Sequence, residues 1–181
     1  MAGKTPPEAV RNFLEPLQHA LSCVSQELLT VRGGYHPSGT PHALTLGNSP
    51  AILGRDRQFA LKVIQHYRII EHEGVRGPWK VRTVAYYYTV EEAGESGREM
   101  FAYHWHPSER TAITFPHFHL YQGAGPMRDD VRKAHFPTGR VSFEDVLRLV
   151  ITQFGVLPLR DDWAAILDQT QTAFEDWHTW K

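Results

Sequence analysis

The stretch WKVRTVAYYYTVEEAGESGREMFAYHWHPSERTAITFPHFHLYQG, residues 79–123, decides how the rest of the chain is read. It holds three runs rich in β-branched and aromatic residues: Trp79–Val90, Glu99–His106 and Thr111–Tyr121. The connections Glu92–Gly97 and Pro107–Arg110 are too short for a crossover helix, so successive runs should pair antiparallel. Upstream, Phe59–Glu71 alternates in part and joins through Gly74–Pro78, which adds a further strand. A meander of four to five strands is expected over residues 55–122.

Helical signals flank this sheet. Thr5-Pro6-Pro7-Glu8 fits a capping box, with Thr5 as N-cap and proline at the first helical position. Val10, Phe13, Leu14, Leu17, Leu21, Val24 and Leu28 follow at helical spacing, Pro16 should kink or divide the helix, and Arg32-Gly33-Gly34 should end it. Residues 33–54 are rich in Gly, Pro, Ser and Asn and read as a long loop with one short strand at Ala43–Leu46. Residues 123–141 read as a second loop. At the other end Ser142 should cap a helix together with Asp145, with Val141 and Val146 as a staple and Gly155 as the stop. Asp161 or Asp162 should cap a last helix striped by Trp163, Ile166, Leu167, Thr170, Phe174 and Trp177. The whole is expected to be one α+β domain over 1–181. It consists of an N-terminal helix (1–32), a loop (33–54), an antiparallel sheet (55–122), a loop (123–141) and two C-terminal helices (142–181).

At 181 residues and 41% apolar content the chain can bury a sizeable core without staples. The one cysteine, Cys23, excludes an internal disulfide and reads as a small core residue. No apolar run is long enough for a membrane span, and residues 1–16 lack the apolar core of a signal peptide. A cytoplasmic location without membrane contact is therefore expected. The net charge of −1 hides an uneven distribution. Seven basic residues face three acids over Arg55–Arg82, and seven acids face three bases over Glu144–Lys181. A basic and an acidic face can coexist on such a chain.

The chemistry concentrates in histidines. His104 and His106 lie two apart on one expected strand, and His117 and His119 two apart on the next, so each pair shares a face. Register decides whether the pairs meet. If His104 stands opposite His117, all four imidazoles project to one side; a slip of one residue separates the pairs. Pro116 has no N–H, so its strand should be an edge or carry a bulge. Two chemistries suit four converging imidazoles. One is general acid–base catalysis at neutral pH, which can cleave RNA through its own 2′-OH without any cofactor. The other is coordination of a divalent metal such as zinc, with all four histidines as ligands.

Thr138, Gly139 and Arg140 run into the start of a helix, where free N–H groups and a fork donor can hold a phosphate. His135, just upstream, and Arg110, in the turn between the two histidine strands, read as supporting residues. Tyr86, Tyr87, Tyr88, Trp79 and Trp105 offer stacking surfaces, although strand aromatics more often serve a core.

The order of a meander, then Phe115-Pro116-His117-Phe118-His119, then a Pro-Thr segment before a helix resembles the TumE-type toxins of bacterial toxin–antitoxin systems. It also resembles uncharacterised bacterial proteins with an ending like HFPTGRVSFEDVLRL (135–149). The resemblance covers about residues 55–155. It implies a growth-inhibiting toxin that acts on RNA and is neutralised by a cognate antitoxin protein. His117 and His119 match the family's Pro-His-x-His strand, and His104 and His106 match it more loosely.

Three functions are therefore weighed. The first is a metal-independent endoribonuclease of toxin type. The second is a metal-binding hydrolase using the same histidines. The third is a non-catalytic interaction module using the basic stretch Arg55–Arg82. The oligomeric state is not set by any of these features.

Overall fold

The computed structural model describes residues 2–48, 50–95, 97–107 and 112–176. It is an α+β structure in which helices cover one face of a single antiparallel sheet. The chain enters through strand β1 (Ala2–Gly3) and helix α1 (Pro6–Leu21). Thr5 caps α1 by accepting from the Glu8 N–H at 3.3 Å. The Glu8 carboxylate accepts in turn from the Lys4 N–H, at 2.8 Å, instead of closing the box on Thr5. The helix runs unbroken through Pro16. It ends at Leu21, well short of Arg32, and Leu28 of the expected stripe is exposed. The reason is a strand, β2 (Leu29–Arg32), whose alternating residues suit a period of two once a partner strand is alongside.

The expected loop 33–54 contains two strands, β3 (His42–Leu46) and β4 (Ala51–Leu53). Both pair with the same edge of β5 (Phe59–Glu71). β6 (Trp79–Glu92) pairs with β5 from end to end, and β7 (Glu99–Trp105), β8 (His117–Leu120) and β9 (Phe136–Pro137) follow. The order is β2-β3-β5-β6-β7-β8-β9, with β4 on β5 and β1 on β6, nine strands among the described residues. The sheet is thus larger than the expected meander, because short segments of both apparent loops find backbone partners in it.

The second apparent loop, 123–141, holds a short helix, α2 (Asp129–Lys133), besides β9. β9 changes the standing of β8. Pro116 precedes the strand, and its carbonyl accepts from the Thr138 N–H at 2.9 Å. β8 is therefore neither an edge nor bulged: it is flanked by β7 and β9. It begins at His117, and Thr111, where a strand was expected to start, lies outside the described residues.

Helices α3 (Phe143–Thr152) and α4 (Trp163–Glu175) close the fold. Ser142 and Asp145 form the expected capping box, at 3.0 and 3.1 Å. Asp162 sits at the N-cap of α4 but does not cap it; Arg160 holds its carboxylate at 2.6 and 2.9 Å. Trp177 lies outside the described residues. Among the described residues no helix is long and apolar enough to cross a membrane.

The core lies between the helices and one sheet face, where Leu61, Val63, Tyr67, Tyr86, Tyr88 and Phe101 meet Val10, Leu21, Val146, Val150 and Leu167. Cys23 is fully buried in it. The polar atoms taken inside are mostly satisfied. The Tyr88 hydroxyl donates to Gln65 Oε1 at 2.9 Å, and the Gln65 amide donates to Thr83 Oγ1 at 2.8 Å.

His42 and Tyr67 carry buried polar atoms without hydrogen-bond partners, and so does Glu144. It is completely buried on α3, and neither carboxylate oxygen has a hydrogen-bond partner. Burial pushes its carboxyl up to about 7 from an ordinary 4.5. The folded state then holds a proton that the unfolded state has released. The stabilisation this lends is complete below about 4.5 and is lost as pH rises to 7. Glu144→Gln should therefore stabilise the protein at pH 8 by about 3 kcal/mol and leave it nearly unchanged at pH 4. Urea titrations at the two pH values measure this; an equal effect at both would contradict it.

Candidate metal centre

Side chains alternate across a strand, so whatever does not face the helices lines the open side of the sheet. On β6, Tyr86 and Tyr88 stack on each other at 4.9 Å in the core, and Tyr87 between them points out. On β7, Trp105 faces the core and His104 the open side. His106 continues on that side just beyond the strand, its ring parallel to Tyr87 at 5.3 Å.

The register that the sequence leaves undecided is the productive one: His104 stands opposite His117. All four expected imidazoles therefore converge. Ring centroids are 5.6 Å apart for His104 and His117, 4.9 Å for His104 and His119, 5.4 Å for His106 and His117, and 4.8 Å for His117 and His119. His135 joins them from the segment leading into β9, 4.4 Å from His119 and 5.0 Å from His117. It is a full member of the cluster, placed there because β9 pairs with β8.

Two sets of three have their ligand-capable nitrogens within 4.8 Å of one another: His104, His106 and His117, and His117, His119 and His135. Both consist of histidines alone, and both include His117. That residue is also the most enclosed of the five, at 1% exposure. Its Nδ1 lies 2.9 Å from the carbonyl of Phe115. A carbonyl can only accept, so Nδ1 carries the proton and Nε2 keeps its lone pair.

The cluster disfavours positive charge on its members. Burial, reinforced by the neighbouring imidazoles, lowers His104 to about 3. Burial again comes first for His119, at about 4, where a backbone hydrogen bond with Ala134 partly opposes it. His117 is lowered by burial too, against the contrary pull of the Phe115 carbonyl. At neutral pH these three rings are neutral, the form in which imidazole binds a metal.

Aromatic rings surround the histidines. Phe115 lies edge-on to His117 at 6.0 Å, Tyr121 is stacked on His119 at 5.8 Å, and His66 of β5 meets Tyr87 at 6.4 Å. Of these, only Tyr87 stands among the stacking residues that the sequence offers; nothing in the sequence points to Tyr121 or His66. Only cross-strand register brings them to this face.

The phosphate-binding candidates are placed differently. The Arg140 guanidinium lies 3.6 Å over the Trp105 ring, on the helix side of the sheet and across from the imidazoles. The next amide, of Val141, donates to the Tyr86 hydroxyl at 3.0 Å, the Thr138 amide is engaged by Pro116, and Gly139 is exposed. The start of α3 already holds the Asp145 carboxylate. Arg140 therefore lies across the sheet from the histidines, whereas Thr138 directly follows Pro137, the ladder partner of His117. Arg110 lies outside the described residues.

Comparison with known protein families, with curated proteins and with solved structures finds no match to this chain.

Proposed function

We propose that this chain is a metal-dependent hydrolase whose centre is a single divalent transition-metal ion held by histidines. The observation that carries the reading is the pair of three-histidine sets overlapping at His117, each with its nitrogens within 4.8 Å. An imidazole-only donor set suits zinc, copper, nickel or cobalt and does not suit magnesium or calcium, which prefer oxygen. Three protein ligands leave a position open, the pattern of hydrolytic zinc sites as opposed to closed structural ones. There a zinc-type ion would supply Lewis acidity and lower the pKa of a bound water to about 7.

The chain's own residues divide the remaining work. The Phe115 carbonyl orients the His117 ring, the usual task of an outer partner to a metal ligand. Because Nδ1 of His117 is engaged, that ring offers one nitrogen, and the two sets compete for one ion. The two histidines left outside the occupied set stay beside the centre and keep its surroundings imidazole-lined.

The metal-free ribonuclease uses the same rings but needs one of them protonated near pH 7. Three of the five resist protonation. Coordination uses those neutral nitrogens as they stand, so the metal reading is preferred. Elemental analysis of protein purified without chelator should find about one zinc-type ion per chain. Absence of metal, together with RNA cleavage that persists in excess EDTA, would reverse the preference. The toxin reading is tested separately by expression in a bacterium. Growth arrest that is relieved by co-expressing a neighbouring gene's product, and lost in His117→Ala, would support a cognate antitoxin.

A further inference from the structure

The open face continues beyond the histidines, toward β5, β3 and β2. Tyr87 of β6 is paired with Ile64 of β5, which is 42% exposed, and His66 follows two positions on. Arg68 and Arg82 then stand directly opposite each other across β5 and β6. Both point to the open side, because their strand neighbours Tyr67, Val81 and Thr83 are buried on the helix side. Arg68 donates one hydrogen bond to the Gly39 carbonyl at 3.0 Å, and Arg82 is exposed. Arg32 of β2 lies on the same face, in the row of Ala43, His66 and Ala85. The small side chains of Ala43 and Ala85 leave the floor around His66 low.

Like charges directly opposite in a sheet are destabilising. A pair of guanidiniums kept in register without a carboxylate between them is therefore a feature that calls for an anion. The carboxylates on this face, Glu91 and Glu99, lie at its other end, against Lys62. The described acids from Glu144 to Asp176 are carried by α3, α4 and their flanks, and Asp129 and Asp130 of α2 are paired with Arg132 and Arg128. The near-neutral chain thus presents a cationic strip bordered by apolar and aromatic side chains. The strip ends at the histidine cluster, about 15 Å from the arginine pair by strand geometry.

We propose that this strip binds single-stranded nucleic acid, with Arg68, Arg82 and Arg32 on phosphates and with Tyr87, His66 and Ile64 under the bases. A bare polyanion would be served by the arginines alone. The exposed Ile64 and the Tyr87 ring between them and the histidines favour a chain that carries flat apolar groups as well. A duplex encloses its bases and cannot use them. As an account of what reaches the metal, the inference rests on the hydrolase reading. As a statement about binding, it stands on the strip.

The test is fluorescence anisotropy with a short labelled oligothymidylate and with the matching oligouridylate, using the full chain as purified. The wild type should bind both. The double variant R68E/R82E should bind at least about tenfold more weakly, and its affinity should depend less steeply on salt, by about 1.4 in the log–log slope for two lost phosphate contacts. The milder R68Q/R82Q should fall between them, and R11E, on the exposed side of α1, should match the wild type; thermal melts confirm folding. His117→Ala should keep oligonucleotide binding while losing metal, so that a failed metal centre and a failed strip are told apart. Wild-type-like binding by R68E/R82E overturns the proposal. So does equal competition by inorganic polyphosphate and by duplex DNA with no effect of I64A/H66A, which would leave charge alone as the cause.

Discussion

His117→Ala is expected to abolish metal binding, whereas His104→Ala and His135→Ala should each retain about one ion per chain. The asymmetry follows from the geometry. Each of the outer histidines belongs to a single three-residue set, and His117 belongs to both. Removing His104 leaves His117, His119 and His135; removing His135 leaves His104, His106 and His117. Removing His117 leaves His104, His106, His119 and His135, and among the described residues no three of these bring their nitrogens within 4.8 Å. Loss of an outer-shell partner alone costs about 10–100-fold in metal affinity, so loss of the shared ligand should exceed about a hundredfold. Zinc titration with a competing chromophoric chelator reads this directly. Full stoichiometry in His117→Ala would sink the shared-ligand account. An intermediate expectation attaches to the Phe115 carbonyl, which is backbone and cannot be removed by substitution. Its role is read instead from the nitrogen resonances of His117, which should report an Nδ1–H tautomer in the metal-free protein.

The second large effect is acid lability of the metal-free protein. His104 and His119 are held at about 3 and 4 in the fold, against about 6.5 in an unfolded chain. Between those values the unfolded state binds protons that the folded state refuses. The stabilisation is therefore complete above about 6.5 and is lost as pH falls toward 3. The rings are partly exposed, so solvent screening reduces the effect below its nominal size. A fall in Tm on the order of 5–10 °C between pH 6.5 and pH 4 is expected after treatment with chelator. Glu144 acts in the opposite direction over an overlapping window, since its stabilisation grows as pH falls from 7 to 4.5. The histidine contribution should therefore stand out more clearly in Glu144→Gln. In that background, a Tm indifferent to pH over this range would show that the cluster is not held neutral. Added zinc should raise Tm near pH 7 and lose its effect only as pH falls through about 4, where protons begin to compete for the His119 and His104 nitrogens.

The two expectations are linked through one register. Had β7 and β8 paired one residue out of step, His104 and His106 would lie on the face opposite His117 and His119, and neither effect would exist. The actual pairing, His104 with His117, is supported on the core side as well. The same ladder sets Tyr103 against Phe118, with rings 4.9 Å apart, and Phe101 against Leu120, and Phe154, just beyond α3, packs 4.9 Å from the Phe101 ring. Burial of these aromatics stabilises the register that gathers the histidines. The site is thus held in place by side chains that take no part in it.

What the sequence determined by itself was local. Capping chemistry at Ser142 and Asp145, the 3.6-residue stripes of α1, α3 and α4, and the long alternating runs of β5 and β6 each depend on neighbours in the chain, and each was legible there. So were the two His-x-His units, since a period of two already puts each pair on one face. The short strands β2, β4 and β9 were not legible. Segments of two to four residues carry no periodicity of their own, and only a partner edge elsewhere in the sheet turns them into strands. Those short strands decided the rest. β9 makes β8 an interior strand and carries His135 into the cluster, and its continuation leads Arg140 to Trp105 on the other side of the sheet. The alignment of Arg68 with Arg82, and of Tyr87 with His104, is likewise a matter of pairing between distant residues. Side-chain chemistry is written residue by residue, but which side chains meet depends on long-range register, and register is selected by packing of the whole sheet against its helices.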